Sequence, residues 1–422
     1  MTSVVRTGAP FGDFVAAAER SGRLVVQPRM GFGDVERMRH GLARTKEADA
    51  VTVGTLTLDS YTRIGDHAAA ARALAEGVGL NGYPIVARPD DDTVRLLDGV
   101  RSEDFPVQVR HGSSRPQDIF RTLTRLGLEA TEGGPVSYCL PYSRTPLREA
   151  VDCWVEGTEI LAESGADGTH PHLESFGGCM LGQLCPPGLL VAISLLEGIF
   201  FRQHGVRSLS LSYAQQTHPR QDEEAVLALR RLAREHLPDT QWHVVLYAYM
   251  GVYPRTPRGA SLLMEQAART AVRAGAARLI VKTRAEAFRI PTVEENVEAL
   301  ENAARAAARQ RALPPSDTAS SDSETYAEAK ALVEAVLDLD GDVGRSLPEA
   351  FDRGLLDVPF CLHPDNRGRT RSYIDGDGRL RWSTTGDLPI TNGPTRLPRG
   401  GLTADALLRM LHHVERHYDT AA

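Results

Sequence analysis

Residues 208–283 carry the pattern on which the fold turns: SLSLSY at 208–213, EEAVLALRRLAREH at 223–236, WHVVLY at 242–247, SLLMEQAARTAVRA at 261–274 and RLIVKT at 278–283. The short runs alternate or stay apolar, as strands do; the long runs repeat apolar residues three and four apart, as helices do. Strands separated by whole helices pair in parallel, because only a crossover connection has room for the helix. The same alternation extends toward the N-terminus. Strand candidates there are Arg23–Gln27, Ala50–Thr57, Tyr83–Ala87, Phe105–Val109, Leu128–Thr131 and His170–Ser175, and further helices are expected at Gln117–Leu126, Pro146–Ser164 and Val293–Arg311. With Ser208–Tyr213, Trp242–Tyr247 and Arg278–Thr283 that makes nine strands, one too many for an eight-stranded barrel. Tyr83–Ala87 and Leu128–Thr131 are the weakest two. The expected fold is α/β, a (β/α)8 TIM barrel over residues 1–311 with a small C-terminal α+β segment. That segment, 312–422, is read as a linker and a cap. Pro314–Glu324 is rich in proline, serine and aspartate, as linkers are. A helix near Tyr326–Leu337, a hairpin around Asp375–Gly378 and an amphipathic helix Ala404–His417 follow. Thr145–Pro146 reads as a helix start, a capping residue before proline at the first helical position.

Composition narrows the function. The net charge of −7 argues against a nucleic-acid partner. Cys139, Cys153, Cys179, Cys185 and Cys361 are odd in number and form no CxxC pair, so neither a disulfide framework nor a zinc site is expected. Free thiols suit a reducing cytoplasm. The N-terminal stretch has no apolar signal core. The longest apolar run, Gly188–Phe201, contains Glu197 and is too short to span a bilayer, so it is expected to be a buried helix and no membrane association is expected. The chain has 45 arginines and three lysines, Lys46, Lys282 and Lys330, which makes a lysine at a strand end conspicuous.

In a TIM barrel the chemistry sits where the strands end. Those ends carry Gln27-Pro28-Arg29-Met30-Gly31, Asp59-Ser60-Tyr61-Thr62-Arg63, Arg110-His111-Gly112, Glu132-Gly133-Gly134 with Tyr138 and Tyr142, Glu174-Ser175-Phe176-Gly177, and Lys282-Thr283 with Glu286. Guanidinium forks match carboxylates in a bidentate way. Any one of Arg29, Arg63 and Arg110 alone reads as a solvated charge. Three at separate strand ends predict an anionic small molecule with the arginines set around it. Glu132 among them supplies an acceptor for an ammonium, and the set describes an amino dicarboxylate. Gly31, Gly112, Gly133 and Gly134 are either tight turns or points of close backbone approach to a ligand. Tyr138 and Tyr142 are site hydroxyls or core aromatics, and His111 a proton shuttle, a hydrogen-bonding residue or a structural one. His170 and His172 lack a third metal ligand and read as structural.

These segments carry a resemblance. QPRMG at 27–31, LDSYTR at 58–63, LNGYP at 80–84, PVQVRHG at 106–112, EGGPVSYCLPY at 132–142, LCPPG at 184–188 and VKTRAEAFRIPT at 281–292 resemble, in order, segments of the epsilon (large) subunits of glutamate mutase, also called methylaspartate mutase. The likeness covers roughly residues 25 to 300 and thins beyond, to pieces such as Asp357–Phe360. It implies an isomerase that interconverts L-glutamate and threo-3-methylaspartate by a radical carbon-skeleton rearrangement. The expected steps are homolysis of adenosylcobalamin, hydrogen abstraction from glutamate, and fragmentation and recombination of the carbon skeleton. By this resemblance the substrate is held by Arg29, Arg63, Arg110, Glu132, Tyr138 and Tyr142, with Glu132, which takes the ammonium, also the catalytic residue; His111, beside Arg110, is read as a further substrate contact. Adenosylcobalamin is contacted by Gly31, Asn81, Pro141, Tyr253, Lys282, Glu286 and Ile290. The chain lacks the Asp-x-His-x-x-Gly signature of cobalamin-binding folds, so the cofactor is expected to be shared with a separate small subunit. A homodimer of the large subunit is expected as well.

The chain departs from the family in two places. A His-Gln-Trp-Met-Gly-Gly-Phe-Pro run, placed near the eighth strand candidate, is replaced by Tyr247–Pro254, and a Gly-Tyr-Gly-Glu-Cys-Gly-Asn-like segment by Ser212–His218. An N-terminal extension typical of the family is also expected to be missing. Three alternatives stay open: a mutase for another amino diacid, an aldolase using Lys282 as a Schiff-base amine, and a non-catalytic assembly subunit.

Overall fold

The computed structural model describes residues 10–165, 170–176, 184–310, 323–390 and 403–421. Eight strands run β1 Val25–Gln27, β2 Gly54–Thr57, β3 Val107–Arg110, β4 Ala130–Gly133, β5 His172–Ser175, β6 Ser208–Ala214, β7 Gln241–Tyr247 and β8 Arg278–Ile280. Each pairs in parallel with its neighbour from β2 to β8, and β8 pairs with β1. One bridge, Val26 to Thr52 just ahead of β2, closes the ring. The ninth candidate is Tyr83–Ala87. Tyr83 makes a single bridge to Leu58, and Pro84 then withholds the next donor while Ala87 N turns back onto the Pro84 carbonyl at 3.1 Å. Leu128–Thr131 does lead into the barrel, with its strand displaced to Ala130–Gly133.

Helices Gln117–Arg125, Leu147–Glu163, Pro187–Gln203, Pro219–His236, Pro257–Ala274 and Val293–Arg309 surround the ring. Pro187–Gln203 is buried on every side from Pro187 to Phe201, because the later helix Glu324–Leu337 packs across it. That accounts for an apolar run without amphipathic spacing. Thr145 does not cap the helix that follows it. Pro146 occupies the cap position, and Leu147 N donates instead to Asp365 Oδ2 at 2.6 Å, a carboxylate from the C-terminal segment.

That segment continues with a helix at Val343–Arg353 and the antiparallel hairpin β9 Arg371–Ile374 and β10 Leu380–Thr384, turning where Asp-Gly-Asp-Gly predicts. The last expected helix is two, Ala404–Leu411 and His413–Thr420, broken at His412. Asp419 accepts from Arg255 N and Thr256 N at 3.0 Å, sealing the start of helix Pro257–Ala274. Residues 314–322, Gly177 and Cys179 lie outside the described residues. No described helix is long and apolar enough to cross a membrane.

The interior of the barrel is polar at its floor. Arg278 and Glu174 form an ion pair with no solvent exposure. Arg278 also donates to Gln27 and to Gln108 Oε1 at 3.2 Å, while Ser210 Oγ and Gln108 Nε2 donate to Glu174 Oε2 at 3.0 and 3.2 Å. His172 lies between Ser208 and Ser210. Phe11, from the helix Phe11–Arg20, stops the lower end by packing on His172 and under the Arg278 guanidinium.

Candidate active site at the barrel mouth

Above that floor the strand ends assemble a second polar cluster. Arg110, the last residue of β3, sets Nε 2.9 Å from Glu132 Oε2 on the adjacent β4, and both side chains are buried. Tyr138 donates to Glu132 Oε1. Tyr247, the last residue of β7, reaches across the ring. Its hydroxyl lies 2.9 Å from Glu132 Oε2, contacts Glu174 Oε1 and accepts from Arg110 Nη2 at 3.3 Å. Arg110 Nη1 is buried without a partner. Burial opposes the Arg110 charge, but Glu132, Tyr247, Tyr138 and Glu174 around it together outweigh that and hold the guanidinium well above its usual range. Burial also pushes the Tyr138 and Tyr247 phenols well above theirs, so both remain protonated. Burial works against ionised Glu174, and the Arg278 and Arg110 charges, with hydrogen bonds from Tyr247 and Arg278, together more than offset it, holding the carboxyl below its usual range.

The turn that presents Tyr138 is fixed from behind. Glu197, on the buried helix, accepts from Val136 N at 3.0 Å, Ser137 N at 2.8 Å and Ser137 Oγ at 2.9 Å. Gly134 lies so close to that carboxylate that a Cβ would come within 2.1 Å of it, and Gly133, at φ 135°, leaves no room for one against Trp154. Gly31 similarly abuts the Thr57 carbonyl. These glycines are accounted for by contacts within the protein. Burial, reinforced by the nearby Arg63 charge, pushes His111 down to about 3. Its ring stacks on Trp154, and Nδ1 accepts from Ser113 N at 3.0 Å, so it is a neutral, packed imidazole and not a proton shuttle near neutral pH.

Arg63 is presented by the short helix Ser60–Ile64, capped by Asp59, which accepts from Tyr61 N and Thr62 N. Arg63 Nε donates to the His111 carbonyl at 3.2 Å, and its guanidinium lies 5.9 Å from the centre of the Tyr142 ring. Asn81 is exposed and braces the same turn by accepting from Ser60 N. Pro141 and Tyr142 line a cavity of about 540 Å³, walled opposite by Phe360, Leu407 and Leu411. Arg29 faces a third group. It lies 3.8 Å from Glu286, which pairs with Lys282 at 3.0 Å, and Lys282 stands 5.2 Å from the centre of the buried Tyr253 ring. The Tyr253 hydroxyl is buried without a partner, while Phe288 and Ile290 beyond it are exposed. The three arginines therefore do not encircle one point. Their strands are consecutive in the ring, so they line one arc running from Glu286 through Tyr142 to Glu132. Sequence reasoning missed Tyr247 as a partner of Glu132, although the segment it opens had been marked as a departure from the family.

Comparison with known proteins identifies the family of the chain. The family profile described as methylaspartate mutase E chain matches residues 7–406. A glutamate mutase epsilon subunit of Haloarcula marismortui is 31% identical over 388 residues, covering 89% of this chain and 79% of its own. That of Halobacterium salinarum is 30% identical over 409 residues, covering 93% and 84%. Among solved structures, the spore coat polysaccharide biosynthesis protein spsE of Bacillus subtilis aligns at a TM-score of 0.39 with 11% identity, over 72% of this chain and 74% of its own. The chain belongs to the methylaspartate mutase E chain family, and so to the isomerases.

Proposed function

We propose that this chain is the substrate-binding subunit of an adenosylcobalamin-dependent glutamate mutase. It interconverts L-glutamate and threo-3-methylaspartate in the cytoplasm, together with a small cobalamin-carrying subunit and as a homodimer of the large one. The observation that carries this reading is the buried Arg110 Nη1 without a partner, held beside an ionisable acid at the barrel mouth. A buried cationic donor left open calls for an anionic group. Glu132, within the same cluster, accepts the ammonium of the same ligand. Arg63 and Arg29 hold the second carboxylate along the arc.

The residues of the Lys282 side fit an adenosyl group. Lys282, Glu286 and the unpartnered Tyr253 hydroxyl offer a donor, an acceptor and an open hydrogen bond to ribose hydroxyls, and exposed Ile290 offers an apolar edge to the corrin. Gly31, Asn81 and Pro141 are further contacts to the cofactor on the strength of the family resemblance alone. When bound, adenosylcobalamin supplies the radical that removes a hydrogen from the substrate. The chain's own residues bind and orient. Arg110 and Arg63 keep both fragments of a rearranging skeleton in place. Glu132, ringed by Arg110, Tyr138 and Tyr247, fixes the amine and receives or returns its proton. Tyr142 and Phe176 close the site against water. The tight Lys282–Glu286 pair disfavours the aldolase alternative, which needs a neutral amine.

The test is an assay for 3-methylaspartate from glutamate and adenosylcobalamin, with and without the small partner. Turnover is expected only with the partner. Robust turnover by the isolated chain would overturn the shared-cofactor arrangement, and no turnover with the partner would overturn the reading.

A further inference from the structure

Tyr247 has more polar neighbours than one phenol can serve. Glu174, from β5, takes donors from Arg278 of β8, Ser210 and Gln108 on Oε2, and meets Tyr247 with Oε1. Glu132, from β4, takes Tyr138 on Oε1, and Arg110 of β3 and Tyr247 on Oε2. The phenol oxygen also accepts from Arg110 Nη2. Phe176 packs edge-on against the Tyr247 ring, 5.3 Å away, and the Arg110 guanidinium lies 5.0 Å from its centre. Without the hydroxyl, two carboxylates would face each other across a space closed to solvent. We infer that Tyr247 is a positioning residue for the ammonium end of the ligand, its phenol standing between two buried carboxylates so that Glu132 stays turned to the site. This rests on the amino-dicarboxylate reading above.

The direction of the effect follows from the two acids' partners. Like charges in a dry gap do not both persist, and one takes up a proton. Glu174 has Arg278 and two neutral donors on one oxygen, so it keeps its charge. Glu132 shares Arg110 with the incoming ligand and takes up the proton instead. A neutral Glu132 loses its attraction for ammonium, while the arginines still attract carboxylates. Removing the hydroxyl therefore damages recognition of the amine selectively, and in a way that alkali relieves.

The experiment is calorimetric titration of the purified full chain, unaltered and Tyr247→Phe, with glutamate and with glutarate, which has both carboxylates and no amine. Phenylalanine retains the ring packing, and glutarate binding reports that the site is still folded. Near neutral pH the variant should bind glutamate roughly tenfold more weakly and glutarate within about twofold of the unaltered chain. The glutamate deficit should shrink as pH rises toward about 9. In a Glu132→Gln background the same change should remove no further glutamate affinity. Equal weakening of both ligands, or a glutamate loss independent of pH, would overturn the inference and leave the function standing. Failure of the unaltered chain to bind either ligand would overturn the amino-dicarboxylate reading, and the inference with it.

Discussion

The barrel holds two buried polar clusters, one at the floor and one at the mouth, and they differ in what is left unpaired. At the floor, no polar atom of Gln27, Gln108, His172, Glu174, Ser210 or Arg278 is buried without a partner. At the mouth, Arg110 Nη1 and the Tyr253 hydroxyl are. Both clusters contain an arginine against a glutamate, so residue type alone does not separate them. Saturation does. A network whose donors and acceptors all meet within the protein fixes the fold, and one with open valences is built for something not yet there. Tyr247 joins the two, touching Glu174 below and Glu132 above.

The strongest way to break this distinction is at the floor. Arg278→Met leaves Glu174 buried without its counter-ion, and removing one partner of such a pair costs about 3–5 kcal/mol. Thermal or urea denaturation should show that loss with or without glutamate present. An undiminished stability would mean the floor is not structural. At the mouth the expected loss is in binding. Arg110→Lys keeps the charge but not the fork that serves Glu132, Tyr247 and a ligand together, and glutamate affinity should fall by about 2–3 kcal/mol, within the range for truncated buried pairs. Arg29→Lys and Arg63→Lys should lose less, because both side chains are partly exposed. Equal losses at all three would restore the encircling clamp.

The sequence made the strand-helix alternation and the strand-end motifs legible, because period and punctuation are local properties. Tyr83–Ala87 has the apolar content of a strand, but Pro84 and the turn after it decided otherwise. Leu128–Thr131 was found while its end was misplaced, since Glu132 and Gly133 look like loop residues until β5 pairs with them. The partners of Tyr247 are separated from it by 137, 115 and 73 residues. No window of sequence contains them. Glu197 was noticed as an interruption in an apolar run, yet its task, holding the turn before Tyr138, depends on a loop some sixty residues earlier.

Glu197 also makes the comparison testable by pH. Burial pushes it, and Asp222, up to about 8. In the folded chain each then holds a proton that the unfolded chain releases near the ordinary carboxylate value. Their contribution to stability is complete below that value and is lost as pH rises toward about 8. Buried His111 and His172, pushed down to about 3, act on the acid side, because they charge only on unfolding below about pH 6.5. Between about pH 6.5 and 8 the two acids act without them, so the denaturation midpoint should decline across that range. Glu197→Gln should flatten the decline, leaving the parts due to Asp222 and to Glu328, which burial pushes up to about 7. A midpoint just as steep in the variant would show that Glu197 holds its turn as a carboxylate throughout.

The smallest effect expected is at Tyr253, and it separates a saturated hydroxyl from an open one. Tyr253 is buried beside Lys282, and its hydroxyl meets no partner. Removing a buried hydroxyl that makes no hydrogen bond loses no interaction and relieves its desolvation, so Tyr253→Phe should leave stability unchanged or raise it by up to about 1 kcal/mol. Tyr213 is the contrast within the same chain. Its hydroxyl donates to Asp222 at 2.8 Å, so Tyr213→Phe leaves a buried carboxyl short of a donor and should lower stability. If the Tyr253 hydroxyl is open because it meets the adenosyl group, Tyr253→Phe should weaken adenosylcobalamin binding to the complex of large and small subunits while glutamate affinity holds. The two measurements decide separately. A loss of stability in Tyr253→Phe would show that the hydroxyl has a partner inside the protein. Unchanged cofactor binding would show that its open valence is an ordinary packing defect, and the Lys282 side of the mouth would then have to be assigned on Lys282 and Glu286 alone.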